Sequence, residues 1–573
     1  MKKPGFILKL LTLILILGIH INTAIGQTYC NPLNLPGQIN SNSSSSKDIA
    51  DPTIVLYKDN YFLFASNAGG YWYSGDLISW KFVTAHNLPF ENIAPTSFVI
   101  GDWIYFCTSF SNTIFRSNDP VGGKWEVYCN NSLLLSMISD FAIFVDTDSR
   151  VYCYYGCSNN DGVMARELDP KDQFNPLGVP VVCRKINPLK KAKAPKALKE
   201  NLAKTGNHGA IGSWMNKYNG KYYYQCAESN TEMNNYTEVV YVSDNPMGPF
   251  TFAANNPFSY RPEGFVSGAS NGSTFADKFG NWWHVATMTS RGNQMSRTSL
   301  GLFPADFDKD GNLYVKTDFG DYPIIMPTQK YSNIDKLDPE WALLSDNISA
   351  QASSSMSSCP VTSAFDENIA TFWSAQTGKK GEWLSVDLGS ACTINAFQLN
   401  FAENKMQIIN SDSLFAYQYL VEYSVDKKNW KKLSDKTTNT RCETNTYEAL
   451  KIPVQAQYLK ITNYYVPVGT FAISGLRIFG SGKGRDPKKV TAFRAVRDYR
   501  NPQLIKMSWK KQANTAGYNI RYGTDKDKLY HSYQVYKKTR LTIHCPDRNK
   551  TYWFQMDAFN ENGVTPGKPI PLK

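Results

Sequence analysis

Acid–base chemistry needs carboxylates held together by a frame, and two aspartates in this sequence sit at equivalent points of a repeating pattern. Asp51, in Ala50-Asp51-Pro52-Thr53-Ile54, and Asp140, after Ser139, each lie eight or nine residues before a polar turn that opens an aromatic strand. The same count from three further turns reaches Ile93, Ile211 and Asn271. Carboxylates brought together from separate segments can divide the cleavage of an acetal. One activates water, a second tunes charge, and a third group protonates the departing oxygen. Singly, an aspartate before proline is a turn former and one at a strand end is a cap. Their common register favours chemistry.

The frame that must position them is itself a repeat. Residues 59–66, 101–108, 149–156, 219–226 and 279–286 each run from a polar or glycine turn into a strand rich in aromatic and β-branched residues. A short apolar strand precedes each turn, and several are followed by a third element. Meanders restarting every ~40–70 residues are the signature of propeller blades. A β-sandwich also yields aromatic hairpins but does not restart one hairpin five times. The expectation is a five-bladed β-propeller over residues 28–330, with the residue opening each innermost strand facing a shared funnel.

The chain of 573 residues exceeds a single ~100–200-residue domain several-fold. Aromatics make up 14%, with 34 Tyr, which suits β architectures and concave polar sites. The net charge of +12 raises nucleic acid as a partner, but 20 Lys+Arg against 7 Asp+Glu from Ser481 onward already give +13. The remainder is close to neutral and has no electrostatic reason to bind nucleic acid. Met1-Lys2-Lys3, the apolar run 6–21, and Ala24 and Gly26 before Gln27 predict a signal peptide over residues 1–26. The protein is then exported: periplasmic, cell-surface or extracellular. No other stretch approaches the ~18 apolar residues of a membrane span. Eleven scattered cysteines without a CxxC pair argue against zinc and for buried thiols, with one or two disulfides left open.

Several motifs carry a family resemblance. Asn31-Pro32-Leu33, Ala50-Asp51-Pro52, Ser139-Asp140 with Phe144-Val145-Asp146, Gly212-Ser213-Trp214-Met215, and Gly272-Ser273 before Asn281-Trp282-Trp283-His284 together resemble glycoside hydrolase family 43. The resemblance implies a five-bladed inverting hydrolase of arabinosyl, xylosyl or galactosyl linkages in polysaccharides. Asp51 would be the general base and Asp140 the carboxylate that tunes the acid's pKa. Trp214 and Asn271 would bind substrate. The family's acid, a Glu, is Ile211 here, and its axial His is Asn271. His208 is the substitute acid singled out, with Glu228 and Glu232 as further candidates. The alternative is a glycan-binding propeller with impaired turnover. No cofactor is required for the chemistry, and the expected partner is an oligo- or polysaccharide.

Two further β domains follow a polar linker, 331–339. Residues 345–481 resemble the discoidin, or F5/8 type C, jelly roll, also known as carbohydrate-binding module family 32. The resemblance rests on Ala364-Phe365-Asp366, Thr371-Phe372-Trp373 and Leu476-Arg477-Ile478. It implies a structural calcium at Asp366 and Thr371, although Gly475 stands where another ligand, a Glu, is usual. Which loops would touch sugar is not readable from sequence; Tyr464, Tyr465 and Phe471 are the candidate aromatics, with structural roles as the alternative for all three. Residues 487–573 resemble a fibronectin type III sandwich, with early Trp509 and later Tyr552, acting as a spacer. The fold class is all-β throughout.

Overall fold

The computed structural model describes residues 26–573 except 38–48, 86, 90–92, 131, 133, 136–137, 157–161, 185–210, 230–235, 290–297, 347, 403, 405–415, 468, 545–546 and 548. The side chains of Ile211, Glu228, Ser229 and Tyr236 also lie outside the description. The expected signal peptide, His208 and Glu232 fall in undescribed segments.

Five four-stranded antiparallel sheets, each in simple chain order, form the blades. Their innermost strands are Ala50–Tyr57, Thr96–Ile100, Ala142–Val145, Ile211–Tyr218 and Ser267–Ala276. Each neighbours the next around the ring, and the fifth returns to the first. The second strands explain the aromatic excess. A strand clasped between two blades is buried on both faces, so it reads as a continuous apolar run rather than an alternation. In Asn60–Ser66, Phe62 and Phe64 pack toward blade two with Ile104 and Phe106, while Tyr61 and Leu63 pack toward blade five with Trp283 and Val285. In blade three, Val151 and Cys153 face blade two, while Tyr152 and Tyr154 face blade four.

The ring is latched by the N-terminal segment. Thr28–Tyr29 pairs with Ile324–Ile325 beyond the last blade. The Asn31 side chain donates to the carbonyls of Leu302 and Gly320, both at 2.8 Å, and accepts the Leu302 N–H at 2.9 Å. Asn31 is fully buried, so these bonds fulfil its amide.

The second domain is a jelly-roll sheet system whose long strands Trp383–Phe401 and Asn445–Tyr465 pair with each other and with Ala472–Ser481 or Gln418–Ser424. The third is a sandwich of a three-stranded and a five-stranded sheet. Rather than extending away as a spacer, it packs back on the propeller. Tyr530 stacks on Tyr314 at 4.1 Å, and Lys528 pairs with Asp308 at 2.7 Å. A buried ionic hub joins all three domains. Arg261 pairs with Asp321 at 2.5 Å, and Arg477 grips Glu367 through two bonds of 3.0 and 2.9 Å. Arg477 also donates to the Asp321 carbonyl, and Arg261 to Gln534 Oε1 in the third domain at 2.9 Å. Burial alone would raise Asp321's carboxyl, but Arg261 and Arg477 outweigh it and hold it low.

The nine described cysteines are all free, and seven of them are buried. Among the described residues no helix is long and apolar enough to cross a membrane.

Candidate active site

Each innermost strand is led by a residue with a left-handed backbone: Asp51 (φ 53°), Ala94 (φ 50°), Asp140 (φ 50°), Gly212 (φ 73°) and Asn271 (φ 51°). Three of these are the residues reached by counting from the turns. In blades two and four the equivalent position falls one residue later, at Ala94 and Gly212 rather than Ile93 and Ile211. In blades one, four and five a bulge interrupts pairing after Ala50, Ile211 and Ser270, and pairing resumes at Thr53, Trp214 and Ser273. The unpaired left-handed residue is therefore Asp51, Gly212 or Asn271. Asp, Asn and Gly tolerate this conformation best, which is a backbone reason for their presence here.

The left-handed turn aims Asp51's carboxylate at partners from neighbouring blades. Oδ2 accepts the Ser66 hydroxyl at 2.6 Å, and Oδ1 accepts the Asn271 amide. Thr287 Oγ1 accepts the Asp51 N–H at 3.0 Å and donates to the Asn271 carbonyl at 3.2 Å. Ser66 Oγ also accepts the Ala94 N–H at 2.7 Å, so one hydroxyl ties blade one to blade two beneath the carboxylate. In blade three the Asp140 N–H donates to Ser109 Oγ at 2.9 Å.

Burial raises Asp51's carboxyl, against hydrogen bonds from Ser66 and the Ala94 N–H. Asp140 is pushed up to about 6, first by burial and then by the charge of Asp51, with Ser139 opposing. The structure thus brings the two aspartates close enough to influence one another electrostatically. Asp140 therefore takes up a proton in mildly acidic solution, the more readily while Asp51 is ionised.

The fourth blade contributes no side chain at its left-handed position. A Cβ built on Gly212 would lie 2.3 Å from Asn271 Oδ1, so the Asn271 amide occupies that space. Asn271 is placed to hold Asp51 in register. Trp214 sits two residues beyond Gly212 and donates its indole N–H to the Thr274 carbonyl at 2.7 Å, tying blade four to blade five. Behind the funnel floor, fully buried Glu238 accepts the Gly272 N–H at 3.2 Å and pairs with His284 at 3.1 Å. It is a carboxylate near the axis that the sequence reading did not select. Ser66, Thr287 and Ser109 were also missed. Their signal was available, because Ser66 and Thr287 pair with the residues just before the bulges, Ala50 and Ser270.

In the second domain the Asp366 loop closes on itself. Asp366 accepts the Asn368 N–H at 3.1 Å and the Thr371 hydroxyl at 2.7 Å, while neighbouring Glu367 is committed to Arg477. A Cβ on Gly475 would meet the propeller's Phe265 ring at 2.7 Å, and Ile369 N–H donates to the Phe265 carbonyl at 3.0 Å. The loop is docked on the propeller where a third carboxylate would have to stand. Asp366 and Thr371 supply two oxygen-bearing side chains and Gly475 none, so the rest of the 6–8 oxygens that Ca²⁺ takes would have to come from backbone carbonyls and water. Phe471 is a core residue, 0% exposed, edge-on to Trp373 at 5.6 Å, and so does not meet sugar. Tyr464 and Tyr465 are half-buried, with Lys380 over the Tyr464 ring at 4.4 Å.

Two family models match parts of the chain. Residues 41–313 match the family model of Glycosyl hydrolases family 43, and residues 349–465 match the F5/8 type C domain. A beta-xylosidase of Xylanibacter ruminicola is 29% identical over 150 residues, 23% of this chain and 42% of that protein. An arabinoxylan arabinofuranohydrolase of Paenibacillus polymyxa is 30% identical over 180 residues, 29% of this chain and 25% of that protein. A xylosidase/arabinosidase of Bacteroides ovatus is 26% identical over 233 residues, 37% of this chain and 68% of that protein. The chain thus spans less than half the length of the first two relatives.

Proposed function

We propose that this chain, built around a glycosyl hydrolase family 43 domain, is an exported enzyme that hydrolyses O-glycosidic bonds of polysaccharides with inversion. The observation that carries the reading is the Asp51–Asp140 pair, set on left-handed residues of separate blades, with Asp140 lifted to about 6 partly by Asp51's charge. Asp51, ionised and held by Ser66 and Asn271, activates water on one face of the sugar. Asp140 tunes charge and orients substrate. In inverting enzymes the base and acid stand ~6.5–9.5 Å apart, leaving room for that water. The xylosidase and arabinofuranohydrolase names of the relatives favour arabinosyl or xylosyl linkages over galactosyl ones. The F5/8 type C domain is proposed to hold the polysaccharide. Export rests on the N-terminal sequence.

Ile211 cannot donate a proton, and general acid assistance contributes ~10²–10⁴-fold. The proposed enzyme therefore favours leaving groups that depart without protonation. A second reading, glycan binding without turnover, is favoured by Ile211 and by Gly212, which brings no side chain to the axis. Incubation with aryl furanosides, aryl pyranosides and oligosaccharides separates the two. Turnover abolished by Asp51→Asn supports hydrolysis, and Ile211→Glu should then raise the rate on unactivated substrates. Binding with no turnover in either protein supports the second reading.

A further inference from the structure

The three domains meet around a cleft of about 410 Å³ whose lining shares no residue with the funnel. Small-ligand sites span ~300–1,000 Å³ and favour domain interfaces. One wall is aromatic. Phe319 of the propeller stands edge-on to Phe559 of the third domain at 5.4 Å, and Phe559 to Tyr536 at 5.5 Å, so the rings fix one another's orientation. Trp341, from the linker, completes the lining half-buried. Trp72, Trp125, Trp214, Trp283 and Trp373 all donate their indole N–H to protein acceptors. Trp341 has no such acceptor among the described residues, as Trp80 and Trp509 have none, and it packs against the cluster that holds Tyr322 and Phe479.

The polar part of the cleft is one-signed. Asp338, Glu340, Asp346 and Asp486 line it, with no Lys or Arg, although the region from Ser481 onward is strongly basic. The Asp346 carboxylate accepts no hydrogen bond from a described residue. Asp346 is pushed up to about 7 and is only partly charged near neutrality, but the acidic lining without a Lys or Arg still disfavours uronates, phosphates and nucleic acid. A metal is not the alternative, because among the described residues no three His, Cys, Asp or Glu converge as its ligands. Phe559 and Tyr322 are themselves buried. The half-buried Phe319, Trp341 and Tyr536 are the rings left to meet C–H surfaces, beside carboxylates that accept hydroxyl donors. Together they suit a neutral sugar.

We propose that this three-domain cleft binds a neutral oligosaccharide segment, as a site separate from the funnel. The ligand class rests on the saccharide-directed reading above, but the claim is one of binding and needs no turnover. It is tested by calorimetric titration of full-length Asp51→Asn protein with xylohexaose and arabinohexaose. Adding Trp341→Ala should remove one binding site, whatever the number of others. Glu340→Lys, at an exposed position, should weaken the same site on the order of tenfold and guards against a Trp341→Ala protein that fails to fold. Isotherms unchanged by both substitutions would overturn the proposal. So would hexagalacturonate or spermidine filling the Trp341-dependent site in place of neutral sugar. Absence of turnover in the wild-type protein would defeat the catalytic reading alone.

Discussion

Ser66→Ala probes the funnel most directly. The Ser66 hydroxyl donates to Asp51 Oδ2 at 2.6 Å and accepts the Ala94 N–H at 2.7 Å, in a fully buried position. It is the largest influence opposing the burial that raises Asp51's carboxyl. A hydrogen bond to a charged group is worth ~1.5–3 kcal/mol net. At 1.36 kcal/mol per pKa unit, its loss should raise the Asp51 carboxyl by ~1–2 units. Asp51 acts ionised, so the acid limb of kcat/KM should move to higher pH by ~1–2 units, with the plateau above it largely kept. Asp140 should respond in the opposite sense. Over the interval in which Asp51 is newly protonated, the charge that helps hold Asp140 at about 6 is missing, and Asp140 ionises more readily. The assay is a pH profile on an aryl glycoside with an activated leaving group, which bypasses the missing acid. The Ala94 N–H keeps its interaction with the Asp51 carboxylate, so loss of its bond to Ser66 should cost only ~0.5–1.5 kcal/mol of stability, read separately by denaturation. An acid limb that stays put, or moves to lower pH, in a folded Ser66→Ala protein would refute the assignment of Asp51 as the titrating base.

Three further outcomes follow from the domain contacts. Arg477→Met leaves Glu367 and part of Asp321 as buried, uncompensated charge, and should cost ~3–5 kcal/mol in chemical denaturation; a loss under ~1 kcal/mol would show the hub is not structural. Gly475→Glu restores the carboxylate that the resemblance expects but drives it against Phe265, so the melting temperature should fall and calcium should not recover it; calcium-dependent stabilisation beyond wild type would reverse the reading of that loop. Asp346 is pushed up to about 7, first by burial and then by Glu367. The folded protein therefore holds this proton more tightly than the unfolded chain, whose Asp titrates near ~3.9, and its contribution to stability is lost as pH rises from ~4 toward 7. Asp346→Asn should flatten that decline in urea midpoints measured from pH 4 to 8, and an unchanged slope would count against it.

The fivefold repeat and the two aspartates could be read from the sequence because aromatic strands and turns are local signals. Counting back from turns misses by one residue in blades two and four, reaching Ile93 and Ile211 instead of Ala94 and Gly212; the bulge is not the cause, because blades one and five carry it and count correctly. Asn271 was legible as an axial residue, but its bond to Asp51 joins residues 220 positions apart, and no local pattern encodes it. The same holds for Glu238 with His284, and for Arg477 with Asp321 across two domains. Nothing in the basic, alternating C-terminal segment announced that Tyr530 and Lys528 would grip the propeller. Phe471 reads as a surface aromatic although the apolar Ala472 and Ile473 follow it, because the sequence carries no record of its contact with the Trp373 ring.

The left-handed lead residues restrict what evolution can write at the axis. At φ near 50° an Asp or Asn is tolerated and a Gly is free, whereas longer or β-branched side chains pay on the order of 1–2 kcal/mol. The conformation thus favours Asp, Asn and Gly at the axis without excluding other residues, since Ala94 leads blade two and Glu340 and Glu367 adopt it elsewhere in the chain. Exchanges among Asp, Asn and Gly, each a few atoms apart, are the cheap mutational steps by which such a propeller gains or loses charge at its centre.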